Sequence, residues 1–126
     1  MKPEPRLTHG PSVIPIQAPY SKPGQVESRR LITKARENSE RLMMGLITMK
    51  KGAEPWAWSA EEGEIFAGVD EVNYILEGRG RLSWGTKSIG IEAGDAIYYP
   101  PGWRYTIANE GDGDLKFLFV LTPAIA

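Results

Sequence analysis

From Glu27 onward the chain is cut into short apolar stretches, each closed by a turn that carries glycine or proline. DEVNYILEG and RGRLSW meet at a tight Glu-Gly-Arg-Gly turn, and GTKSIGI, GDAIYYPPG, WRYTIANEG and DLKFLFVLT follow at similar spacing. No segment here sustains the 3.6-residue apolar period of an amphipathic helix, whereas short apolar runs bounded by turn residues are the signature of strands. The pattern predicts an all-β, antiparallel sandwich or barrel. SRRLIT reads as a first strand, RENSE as a polar turn after it, and RLMMGLITM as a strand buried on both faces. In DLKFLFVLT, Leu115, Phe117, Phe119 and Leu121 share one face by strand alternation.

The first part of the chain is different. Six of the ten prolines fall within the first 23 residues, so this segment forms neither a helix nor a central strand. We divide the chain into an N-terminal extended arm, residues 1–26, and a β-barrel domain, residues 27–126. VIPIQAPY, Val13 to Tyr20, has enough apolar residues to lie against its own barrel or a second subunit, and a disordered tail is the other reading.

Composition narrows the function classes. At 126 residues the chain makes one core, not two. Fifteen basic and sixteen acidic side chains leave a net charge of −1, which gives no electrostatic case for nucleic acid or an anionic membrane as partner. No apolar run is long enough to span a bilayer, and the proline-broken start has no continuous apolar core of a secretory signal. With no cysteine, disulfides, thiolate nucleophiles and Cys-based zinc sites are excluded. A cytoplasmic location is the expectation.

Two segments resemble the signature motifs of the cupin superfamily, small jelly-roll β-barrels. The second cupin motif runs Gly, five residues, Pro-x-Gly, two residues, His, three residues, Asn. Here Gly94, DAIYY, Pro100-Pro101-Gly102, Trp103-Arg104, Tyr105, TIA and Asn109 match it, with tyrosine in place of the histidine. The first motif ends Glu, six residues, Gly, and Glu71 to Gly78 has that spacing with VNYILE between. The positions where the family carries His-x-His hold Glu64 and Phe66, or Ile65 and Ala67; a longer upstream loop would place Trp56 and Trp58 there instead. The resemblance covers most of residues 41–122 and implies a cupin barrel. The cupins of ethanolamine utilisation look similar in also lacking the usual histidines.

The family site implied by that resemblance uses three imidazoles and one carboxylate around a transition metal, and of these four ligands Glu71 remains. Glu64, Glu71 and Tyr105 are the candidate ligands if a divalent metal binds, but a phenol ordinarily ionises near pH ~10, so the metal would have to drive its deprotonation. His9, the one histidine, sits in the arm and reaches a barrel mouth only if the arm folds over it. No cofactor is favoured. The resemblance places Glu71 inside with Asn73 and Ile75, and Tyr105 inside with Trp103 and Ile107 on the other motif strand.

A carboxyl desolvated in an apolar barrel titrates higher, toward the range useful for acid–base work. Glu71 and Tyr105, facing one another, are therefore the candidate catalytic pair, with Phe66, Asn73, Trp103 and Trp58 as ligand-binding walls. The expected partner is a small organic molecule, and the expected chemistry is proton transfer of an isomerase, lyase or cyclase type. A metal-dependent enzyme with substituted ligands is one alternative. A non-catalytic binding or assembly module, in which Glu71 and Tyr105 satisfy each other as a buried pair, is another. Apolar residues on both sides of Val72-Tyr74-Leu76 and DLKFLFVLT also predict a homodimer.

Overall fold

The computed structural model describes residues 2–126; Met1, the first residue of the predicted arm, lies outside the described residues. Among the described residues ten strands form: β1 Ile16–Gln17, β2 Val26–Ile32, β3 Met43–Met49, β4 Trp56–Ser59, β5 Asp70–Glu77, β6 Arg79–Trp84, β7 Lys87–Glu92, β8 Ala96–Tyr99, β9 Arg104–Asn109 and β10 Leu115–Thr122. They make two sheets, one of six strands in the order β1-β2-β3-β10-β5-β8 and one of four in the order β4-β9-β6-β7. Every pairing is antiparallel. The fold is an all-β jelly-roll sandwich, as the turn spacing predicts.

The core lies between the sheets and is filled by alternate residues of each strand. β10 contributes Leu115, Phe117, Phe119 and Leu121, β3 contributes Met43, Ile47 and Met49, and the facing sheet sends in Trp58, Leu82, Tyr105 and Ile107. Gly45 of β3 pairs with Phe119 of β10, and a Cβ there would collide with the Phe119 ring. Glycine is what lets the ring lie flat across its neighbour. At the β5–β6 turn, Gly78 has φ +87° and its missing Cβ leaves room for the Asp114 carbonyl.

Two local expectations change. β3 alternates between buried and half-buried residues, so one face is core and the other only partly covered. An antiparallel strand in a two-layer sandwich has a single core face, and the apolar residues on the other side need a separate explanation. The polar turn after β2 contains one turn of helix, α1 Lys34–Glu37. Thr33 caps it, its Oγ1 accepting from the Arg36 amide at 3.0 Å, and Asn38 ends it in the left-handed conformation.

The N-terminal segment lies along the barrel. Ile16 and Gln17 pair with Ser28 and Glu27 at the edge of β2, and Trp56 Nε1 donates to the Pro19 carbonyl at 2.7 Å. Arg29 Nη1 donates to the Val13 carbonyl at 2.7 Å. Among the described residues no helix is long and apolar enough to cross a membrane.

Candidate functional site

β5 turns Glu71, Asn73 and Ile75 toward the core, while Val72, Tyr74 and Leu76 face out. Its edge neighbour β8 places Tyr99 directly opposite Glu71 and Ile97 opposite Asn73. From the other sheet, β4 and β9 pair Trp58 with Tyr105. These elements close an aromatic cluster around the acid. The Tyr99 and Tyr105 rings meet edge to face at 5.0 Å and 76°, and Trp58 stands 5.3 Å from Tyr99 and 5.6 Å from Tyr105. Such edge contacts fix ring orientation as well as burying apolar area.

Glu71 opens onto a cavity of about 80 Å³, walled chiefly by Trp58, Phe66, Phe117, Phe119 and Leu121 and reached by Arg30 from β2. Pro19 and Tyr20 of the arm line it too. The carboxyl has one side-chain partner among the described residues, Asn73, whose Nδ2 donates to Oε2 at 3.1 Å and to the Val72 carbonyl at 3.0 Å. Burial pushes the Glu71 pKa up to about 7, against the smaller downward pull of the Asn73 amide. Two buried polar atoms near it, Asn73 Oδ1 and the Tyr99 hydroxyl, have no hydrogen-bond partner among the described residues. Buried polar groups are normally satisfied, so these two atoms stand out among the described residues.

Tyr105 lies inside the barrel as expected, but it does not line the Glu71 cavity. Its hydroxyl donates to the Pro100 carbonyl, and the ring lines a separate cleft of about 200 Å³ with Trp84, Tyr98, Tyr99 and Trp103. The Tyr99–Tyr105 pair thus stands as a wall behind Glu71, and the second catalytic candidate does not open onto the Glu71 cavity. Both phenols are raised above the ordinary tyrosine value, by burial first and then by the Glu71 charge, so both remain protonated at neutral pH. Trp103 is half exposed and packs on Gly85, so it belongs to the outer cleft. Phe66, Trp58 and Asn73 stay with Glu71. His9 is exposed, at the start of a short 3-10 turn.

The donor set does not fit the family metal. Glu64 is exposed in the loop before β5, Tyr105 is engaged with a backbone carbonyl in the neighbouring cleft, and Glu71 stands by itself. Among the described residues there is no group of three or more His, Asp or Glu side chains able to hold an ion. One carboxyl without imidazoles is not a transition-metal site.

Two residues of the site were not singled out from the sequence. Tyr99 follows Ile97 by strand alternation, which marks an inward face, but its position opposite Glu71 depends on the β5–β8 pairing. Arg30 shares the inner face of β2 with Val26 and Ser28, and a period-two reading of VESRRLI would have shown it.

With fold and site in hand, the chain belongs to the cupin family: the cupin domain model matches residues 45–121. It is 30% identical over 98 residues to an oxalate-binding protein of Thermotoga maritima, a match covering 78% of this chain and 76% of that one. It is 41% identical over 54 residues to an uncharacterised protein of Methanocaldococcus jannaschii, and that match spans 43% of either chain. Among solved structures, a predicted oxalate decarboxylase of Thermotoga maritima superposes with a TM-score of 0.75 at 24% identity, over 94% of this chain and 99% of that one. The Clostridium difficile EutQ protein gives 0.67 at 22% identity, over 86% and 71%. At those identities the structural likeness speaks for the fold.

Proposed function

We propose that this cupin binds a small organic molecule in the barrel cavity and that Glu71 moves a proton on it without a metal. The observation that carries the reading is a carboxyl facing an apolar cavity with a single amide partner and a pKa of about 7. An acid poised near neutrality is populated in both protonation states, which is the condition for taking a proton at one atom and returning it at another. An isomerisation of that kind balances without an outside oxidant or reductant. Asn73 orients the carboxyl, the protonated Tyr99 backs it from behind, and Trp58 and Phe66 give the ligand an apolar wall. The Thermotoga maritima oxalate-binding protein supports a small-molecule ligand in a barrel of this family.

The test uses protein prepared without a histidine tag and stripped of metal. Native-state ligands raise the melting temperature, so a thermal-shift screen of small metabolites should return hits that quench tryptophan fluorescence through Trp58. A stoichiometric transition metal that returns with activity and is lost in Glu71→Gln would replace this reading with the metal-dependent one. A barrel that binds nothing would leave the assembly-module reading. We also assign the outer face of β5 and β10 to a homodimer, argued below at the scale of the whole molecule.

A further inference from the structure

We infer that the ligand of this barrel carries a carboxylate, held by Arg30 at one end of the cavity while its reacting atom meets Glu71 at the other. The inference rests on the ligand-binding part of the proposal above and adds the chemical class of what binds.

Three arginines lie close together in the β2–α1 segment, and two of them have structural work. Arg29 holds the arm through the Val13 carbonyl at 2.7 Å. Arg36 pairs with Glu37 and donates to the carbonyls of Arg30 and Leu31 at 2.7 and 2.9 Å. Arg30 differs. Its side chain lines the Glu71 cavity, yet among the described residues its guanidinium makes no ion pair and is not engaged by a carboxylate. A guanidinium presents a planar fork of donors that matches a carboxylate in bidentate fashion. Arg30 is only partly buried, so its donors also reach water, and a carboxylate entering the cavity beside Met43, Phe117 and Phe119 would meet them as a ready partner.

Glu71 is not that anion. No ion pair joins the two side chains, and the influences on the Glu71 carboxyl are burial and Asn73, with no contribution from an arginine charge. A cation a few ångströms away would pull the carboxyl down. Arg30 and Glu71 thus line the same cavity without forming an ion pair. Arg30 is partly exposed and also borders a second pocket beneath the arm, beside Val13 and Ile14, which puts it at the rim. The ligand that fits is a small monocarboxylate: charge at the rim on Arg30, apolar body between Phe66 and Phe119, reacting carbon toward Glu71. In its neutral form Glu71 does not repel such an anion.

The experiment is a titration of metal-stripped protein, by calorimetry, with carboxylate and amide pairs: benzoate and benzamide, crotonate and crotonamide. At least one carboxylate should bind about tenfold or more tightly than its amide, the scale of a charge-assisted pair over a neutral one. Arg30→Gln should erase that preference, and Arg30→Lys should keep part of it, with circular dichroism unchanged in both. Amides that bind as well as carboxylates, undiminished carboxylate binding in Arg30→Gln, or no binding across the panel would overturn the inference. Glu71→Gln separates the two claims: it should retain the Arg30-dependent preference even if Glu71 proves to have no part in proton transfer.

Discussion

At the scale of single residues, the account turns on how Glu71 is ionised. A carboxyl whose folded pKa lies at about 7, above its ordinary value of 4.5, favours the folded state in its neutral form. The unfolded chain binds fewer protons between those two values, so stability falls as pH rises through that window. The full loss, reached above pH ~7, is about 3 kcal/mol by linkage. Urea melts should therefore show declining stability between pH 5 and 8, with the decline absent in Glu71→Gln. Tyr99 gives a second expectation. Among the described residues its buried hydroxyl has no partner, so Tyr99→Phe should leave the free protein as stable or up to ~1 kcal/mol more stable. A fall in free-protein stability of several kcal/mol would mean that the hydroxyl is satisfied.

At the scale of elements, the strands were legible because alternation and glycine turns both pointed to them. Alternation put Glu71 and Asn73 on one face, the cupin resemblance implied that this face is the inner one, and that is where β5 carries them. What sequence could not give was pairing. The register that puts Tyr99 opposite Glu71, and the turn that ties the Tyr105 hydroxyl to Pro100, join residues through sheet geometry rather than through local pattern. Trp103 shares a parity with Tyr105, yet it precedes the first residue of β9 and lies half exposed in the outer cleft. Gly45 shows the opposite case, a lone glycine inside a strand whose reason appears only across the ladder. Gly45→Ala should cost about 1–3 kcal/mol in a thermal or urea melt, because the added methyl displaces the Phe119 ring. A neutral result would mean that β10 shifts without strain.

At the scale of the whole molecule, the outer face of the larger sheet is the unsatisfied surface. Tyr98, Val72, Val120 and Met44 run side by side across four strands, and Tyr74, Leu118 and Leu46 form the row beside them. Val72, Tyr74 and Tyr98 are 44%, 48% and 60% exposed. The nearest charges at one end, Lys116 and Glu77, pair with each other at 3.4 Å. A largely apolar face of this kind, bordered by Arg29 beside Leu46 and by Asp70 beside Tyr98, suits a second copy related by a twofold axis. Sedimentation at micromolar concentration should give a dimer, and Tyr74→Lys should give a folded monomer; a monomeric wild type would contradict this. The central claim is that the barrel moves a proton through Glu71 and needs no metal. Its most direct measurement is solvent-deuterium incorporation into a bound ligand, followed by NMR on metal-stripped protein. The account predicts incorporation by the wild type and a loss of about 100-fold or more in Glu71→Gln. Exchange that appears only after metal is restored, or that proceeds at the wild-type rate in Glu71→Gln, would contradict it.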